Sequence, residues 1–305
     1  MISTLLTALI PILFIMAIGY VARKKKYVNG TAGKNLSSIV LKYTLPALLF
    51  YTFAITPIRS IWNGPFVLSI IFATVVSYFF TFLYAIKSKR TLADAGIASL
   101  AVGWPNTIFL GLPLLLFLFG SQAILPIALG SIVTMLTVFP LSIFFLEKGS
   151  KGEGNPLIKA GLHKNPILLA SLVGILCAAF NIHVPEVILN SAKLLDQPTS
   201  TIALFATGIA IADNPIVISK EIVVNMIFKN LLQPLLGILC MVFFHIHGFW
   251  AGMLILSLAC PSANTPLMLS LKYRTYEQEA VSTIIFSTLC FIGTIFIFYP
   301  ITLHV

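Results

Sequence analysis

Charge is scarce in this chain, and acidic charge scarcest: nine Asp and Glu stand against nineteen Lys and Arg, and charged residues make up 9% of 305. A soluble domain carries about 25% charged residues, so water is not the main solvent of this surface. None of the nine carboxylates falls at the centre of an apolar run, which leaves no obvious proton carrier and no acidic sodium site. No HExxH motif, Asp pair or Ser/His constellation lies within the apolar runs, which argues against an enzyme. Charged rings and continuous polar stretches are missing too, which argues against a channel. The four cysteines, Cys177, Cys240, Cys260 and Cys290, each sit in an apolar run without a CxxC pair or a His/Cys cluster. They read as reduced, buried small hydrophobes. No catalytic residue, metal or cofactor is expected.

What the chain has is hydrocarbon. Hydrophobic residues make up 58% of it, and long apolar stretches recur throughout. A helix needs about 20 mostly apolar residues to cross a bilayer. On that measure spans fall at about 3–22, 35–56, 65–86, 93–119, 122–146, 165–182, 188–212, 222–244, 248–272 and 277–302. The net charge of +10 raises nucleic acid as a partner, but a nucleic-acid surface needs a solvated basic face with interleaved aromatics. Here the positive residues sit in short connections instead. Those after odd-numbered spans hold Arg23 to Lys26 with Lys34, then Lys87, Lys89 and Arg90, then Lys148, Lys151, Lys159 and Lys164, then Lys220, then Lys272 and Arg274. Those after even-numbered spans hold only Arg59 and Lys193. This bias makes the odd connections cytoplasmic and puts both termini outside. In the first run the positive charge follows the apolar core, where a signal peptide would carry it in front. That run reads as a retained helix of a plasma-membrane protein.

The polar stretch at 151–164 divides the chain as a cytoplasmic linker, between a first unit at 1–150 and a second at 165–305. The two units echo each other. Pro11-Ile12-Leu13 with Gly19 recurs as Pro166-Ile167-Leu168 with Gly174, and Ser99-Leu100-Ala101 with Asn106-Thr107 recurs as Ser257-Leu258-Ala259 with Asn264-Thr265. Both pairs keep identical internal spacing and fall on equivalent spans, one and six, four and nine. Five spans per half is an odd number, so the halves insert in opposite orientation. The expected fold is an all-α polytopic membrane protein of ten transmembrane helices, built as two inverted five-helix repeats.

Spans four and nine carry the chemistry. Gly103, Pro105, Asn106, Gly111 and Pro113 fall within one helical length, and Pro261 and Pro266 bracket Ser262, Ala263, Asn264 and Thr265. Proline removes an amide donor and clashes with the preceding turn, so both helices should break near mid-membrane. Unwound backbone survives there only inside protein or along a wet cavity. Two breaks at equivalent places in an inverted repeat should therefore meet and cross. The second half-helices begin near Asn106 and Asn264, so amide ends and positive dipole ends face the crossing, a setting that favours an anion. The expected substrate-binding set is Pro105, Asn106, Thr107, Gly111, Pro261, Ser262, Ala263, Asn264 and Thr265, with Lys229, Asn230 and Gln233 of span eight.

A cation at the bilayer centre costs about 2.5–3.5 kcal/mol on insertion scales, so Lys229 is a functional residue by default. It reads as a counter-charge for an organic anion or a tether sensing occupancy; the competing reading is a lysine whose stem snorkels to the interface. Asn230 and Gln233 serve either the site or helix packing. Lys42, nearer the cytoplasmic end of span two, reads first as a snorkelling lysine and second as a ligand contact. Asp94 and Asp213 read as helix caps or solvated charges, and Asp196 and Glu186 likewise. His245 and His247 form an outer turn. Ser282, Thr283, Ser287 and Thr288 in span ten read as hydroxyls bonded back to their helix or bridging helices.

The run Trp104-Pro105-Asn106-Thr107-Ile108-Phe109-Leu110-Gly111-Leu112-Pro113 resembles the fourth-span motif of the auxin efflux carrier family. The Pro261–Pro266 segment is similar to its ninth-span crossover. IPILFIMAIGYVARKK at the start, LKYTLPALLF at 41–50 and KNPILLASLVGIL at 164–176 resemble the family's bacterial members, among them malate and malonate permeases. The likeness spans the chain, without the long central cytoplasmic domain of plant carriers. It implies a fold like that of bile acid sodium symporters, with spans 1, 2, 6 and 7 as a scaffold and spans 3–5 and 8–10 as a transport domain moving like an elevator. It also implies a homodimer through the scaffold and residence in the bacterial inner membrane. Asn264 and Thr265 depart from plant carriers, which have aliphatic residues there, and point away from auxin itself. The implied function is secondary transport of small organic anions, carboxylates such as malate; the alternative is a sodium-coupled organic anion symporter.

Overall fold

A computed structural model describes residues 2–57, 63–149, 166–213 and 216–303, and among these it contains thirteen helices and no strand. Five are long and apolar enough to cross a membrane: α2 (Ala32–Ile55), α3 (Gly64–Lys87), α6 (Ser121–Gly149), α10 (Lys220–Phe243) and α13 (Glu277–Thr302). Shorter apolar helices are α4 (Leu92–Gly103), α5 (Thr107–Phe119), α7 (Pro166–Ala179) and α11 (Gly248–Ala259). The others are α1 (Ile2–Lys24), α8 (Glu186–Asp196), α9 (Thr199–Asp213) and α12 (Thr265–Tyr273). Large apolar side chains stand exposed along the long helices, among them Phe14, Leu83, Leu136, Leu239 and Leu289. In water this would be an aggregating surface; in lipid it is the solvated one. The chain is an all-helical, multi-pass membrane protein.

Local sequence sets where helices begin. The Asn63 side chain accepts the Phe66 amide at 3.0 Å ahead of α3, Thr91 accepts that of Asp94 at 3.1 Å ahead of α4, and Ser219 accepts that of Ile222 at 3.3 Å ahead of α10. Each satisfies one amide that the first turn leaves unpaired. Gly120, with φ of 72°, separates α5 from α6 in a conformation other residues avoid. Prolines leave a recurrent mark. A widened π turn precedes Pro46 at Val40–Thr44, Pro113 at Thr107–Gly111 and Pro234 at Phe228–Leu232. In each case the proline lies two residues past the turn. Since it cannot donate to the carbonyl four residues back, the helix relaxes there into a wider turn.

Helix packing falls into two groups. α1 lies along α9, α7 along α2, and α2 also contacts α8 and α9. α3, α4 and α6 pack together, as do α10, α11 and α13, and α3 joins the two sets through α10 and α11. Small residues permit the closest approaches, as they do where lipid supplies no hydrophobic drive between helices. A Cβ on Gly208 would stand 2.0 Å from the Met16 carbonyl oxygen, one on Gly19 2.2 Å from that of Phe205, and one on Gly174 2.8 Å from that of Phe50.

Span seven differs from the expected single helix over 188–212: it is interrupted at Gln197–Pro198 into α8 and α9. Pro198 has no amide to continue α8, while its carbonyl accepts the Ile202 amide at 2.9 Å and starts the next helix. The expected linker at 151–164 and Arg59 lie outside the described residues. Two of the aspartates expected as caps or solvated charges, Asp94 and Asp213, also tie segments together. Asp94 accepts the Thr275 hydroxyl and Asp213 pairs with Arg23. Beside them, Arg90 bridges Glu221 and Glu279, each at 2.8 Å, over the ring of Tyr276. Burial works against the Arg90 charge, but Glu221 and Glu279 outweigh it and hold its pKa above the ordinary value. Burial, with the Glu221 carboxylate, pushes the Tyr276 phenol up, so it donates to Glu221 at 2.7 Å as a neutral group.

Candidate functional site

The interruptions after α4 and α11 are bonded to one another. α4 ends where the Trp104 amide reaches the Leu100 carbonyl, and α11 where the Cys260 amide reaches that of Leu256. Pro105 and Ser262 then form an antiparallel bridge: the Asn106 amide donates to the Pro261 carbonyl at 2.7 Å, and the Ala263 amide to that of Trp104 at 3.1 Å. Each unwound strand thus satisfies the other, as apolar surroundings require. The Asn106 side-chain oxygen then accepts the Phe109 amide at 3.2 Å and caps α5. Its other end, the Nδ2 amide, is buried with no hydrogen-bond partner among the described residues.

Asn106 is one of the residues that line a cavity of about 180 Å³. Pro105, Asn106, Ala263 and Thr265 line it from the two interruptions, Ser131 from α6 and Lys42 from α2. The α5 N-terminus, with first-turn amides that lack helical acceptors, adds positive potential. The cavity is mainly apolar, with Leu41, Trp104, Phe109, Met135 and Phe139 among its lining residues, and Lys42, Asn106, Ser131 and Thr265 are its polar ones. At about 30 Å³ per water, its volume equals roughly six waters.

The remaining sequence-derived residues sort into places around this cavity. Thr107 turns away to the Ser131 hydroxyl at 3.1 Å. Gly111 lets α5 pass the thiol of Cys260, which would stand 2.8 Å from an added Cβ. Pro261 and Ser262 supply crossing backbone, and Ser287 of α13 accepts the Ser262 amide at 2.9 Å. Asn264 does not cap α12; its amide meets Thr207 of α9 at 3.4 Å, outside the cavity lining. Lys229, Asn230 and Gln233 sit behind the crossing and also outside that lining. Lys229 has no exposed surface, so its stem does not reach an interface. Asn230 donates to the Ser287 carbonyl at 2.8 Å.

Lys42, read first as a snorkelling lysine and second as a ligand contact, is exposed and lines the same cavity as Asn106. A usable signal existed: Lys42 precedes Pro46 by four residues, as Asn230 precedes Pro234, so both lie in widened turns. A second cavity, of about 900 Å³, lies between α2, α8 and α9 on one side and α5, α6 and α11 on the other, with Thr52, Ser200, Lys193, Asp196, Gln122 and Trp250 among its lining residues.

An all-helical membrane bundle with two interrupted helices bonded to one another is compatible with a membrane transporter, and sequence comparison gives that class. A family model described as "Membrane transport protein" matches residues 4–156 and 153–299, and the chain belongs to that family, the auxin efflux carriers, in its bacterial branch. It is 25% identical over 296 residues to "Uncharacterized transporter YfdV" of Escherichia coli (strain K12), covering 94% of each chain. It is 24% identical over 294 residues to the "Putative malonate transporter" of Rhizobium meliloti (strain 1021), covering 94% of this chain and 92% of that one. Over 358 residues it is 21% identical to "Auxin efflux carrier component 8" of Arabidopsis thaliana, covering 96% of each.

Proposed function

We propose that the chain is a secondary transporter of small organic anions, carboxylates of the malonate or malate kind, acting by elevator-type alternating access in a bacterial inner membrane. The observation that carries this reading is the Asn106 Nδ2 amide, buried at a helix N-terminus with no partner among the described residues, on a residue that lines a cavity together with Lys42. A buried donor without an acceptor is costly, about 1–3 kcal/mol; a carboxylate bound there would accept from it. The cavity volume suits a short carboxylate better than a ring-bearing acid. The relative named as a malonate transporter supports the same class.

In this reading the ten spans form two inverted halves, with α4–α5 and α11–α12 as the crossing helices. The packing supports it: α1 against α9 and α7 against α2 exchange places when spans one and six, and two and seven, are interchanged. Those four spans are the scaffold. The other six carry the site, and the two cavities lie toward opposite ends of the boundary between groups. The reading includes a homodimer through the scaffold, for which exposed apolar side chains on α2 and α8, such as Ile39, Tyr43, Val187 and Leu194, offer a surface.

The test is thermal stability and uptake. Purified protein should melt about 5 °C higher with malonate or malate in hundredfold excess over Kd, and proteoliposomes should accumulate labelled malonate. Indole-3-acetate should do neither. An unchanged melting temperature with every carboxylate tried sinks the reading.

A further inference from the structure

Lys229 is the least expected charge in the molecule. It is fully buried in mid-helix, and among the described residues no carboxylate pairs with it. Its ammonium donates to the Gln233 side-chain oxygen and, at 3.3 Å, to the Leu258 carbonyl. The Gln233 amide donates in turn to the Gly103 carbonyl at 3.3 Å. Gly103 is the last residue of α4 and Leu258 lies in the last turn of α11. Both carbonyls belong to groups that an interrupted helix leaves without amide partners, and both mark negative dipole ends. One residue pair on α10 therefore closes the C-terminal ends of both half-helices. In broken-helix carriers, half-helix C-terminal carbonyls are the atoms that coordinate coupling cations.

We propose that the Lys229 ammonium, seated through Gln233, is a built-in cation for the two half-helix C-termini, so the crossing is assembled without a bound metal cation. Lys229 is a positioning residue: it holds α4 and α11 together behind the anion cavity and does not touch the anion. The inference rests on the transporter reading only for its consequence, that transport does not depend on sodium. Its test reads the response to cations, so either can fail alone.

The full-length protein in detergent is melted at matched ionic strength in sodium, potassium, choline and methylammonium chlorides. Wild type should melt at one temperature in all four. Lys229→Ala should melt about 5 °C lower and recover at least half the loss in methylammonium, which fits the vacated space, but not in choline. Lys229→Met, which fills the space without charge, should stay low in every salt. Sodium-specific stabilisation of wild type overturns the proposal, as does a Lys229→Met protein that melts like wild type. Failure of methylammonium to raise the Lys229→Ala melt overturns it too. If Lys229→Ala does not fold, the wild-type salt series and Lys229→Met decide the matter.

Discussion

At the scale of residues, the two asparagines that look equivalent in sequence do different things. Asn106 spends its oxygen capping α5 and leaves its amide buried with no partner among the described residues, whereas Asn264 leaves α12 uncapped and reaches Thr207 across to α9. Asn106→Ala should lower malonate uptake at least tenfold, since one hydrogen bond to a charged group is worth about 1.5–3 kcal/mol. Asn264→Ala should change malonate affinity much less and act on turnover, because its contact joins the two helix groups. Equal, wild-type uptake in both variants would remove the crossing from the site. Lys42→Gln should weaken malonate binding about fivefold and Lys42→Arg should keep most of it, as measured by thermal shift against malonate concentration.

At the scale of elements, the interruptions rest on three contributions that reinforce each other. Prolines forbid continuous helices, the strand-like bridge between Pro105 and Ser262 satisfies the freed amides, and α10 closes the freed carbonyls through Lys229 and Gln233. Remote helices are held by shape instead. α1 and α9 approach so closely at Gly208 that an added methyl would overlap the Met16 carbonyl oxygen. Gly208→Ala should therefore destabilise by about 1–3 kcal/mol, read as a lower melting temperature without loss of malonate affinity in the folded fraction. A Gly208→Ala protein as stable as wild type would mean that these helices can slide apart at no cost.

At the scale of the whole molecule, two cavities flank the boundary between the helix groups, and only the smaller one touches the crossing through Asn106. In a cysteine-free background, Gln122→Cys in the large cavity and Lys42→Cys in the small one should react with a membrane-impermeant maleimide from opposite sides. Labelling of both from the same face would contradict the topology drawn from the charge bias. Added malonate should shield Lys42→Cys and leave Gln122→Cys unshielded.

Hydropathy, proline placement and the asymmetry of basic residues were enough to locate the apolar segments, the breaks at Pro105 and Pro261, and the asparagines beside them. Those features are local: a proline interrupts a helix wherever it stands, and a charge avoids lipid whatever the fold. The interruption at Pro198 was equally visible in the sequence, where Lys193, Asp196, Gln197, Thr199 and Ser200 flank the proline. What local features leave open is the direction in which a side chain on a round helix points. Lys42 and Lys229 are both lysines in apolar runs, with the same hydropathy penalty. Packing leaves one exposed in the lining of the cavity beside Asn106 and seals the other against the carbonyl of Leu258. That choice depends on which helices lie beside α2 and α10, and only the assembled bundle brings those neighbours together.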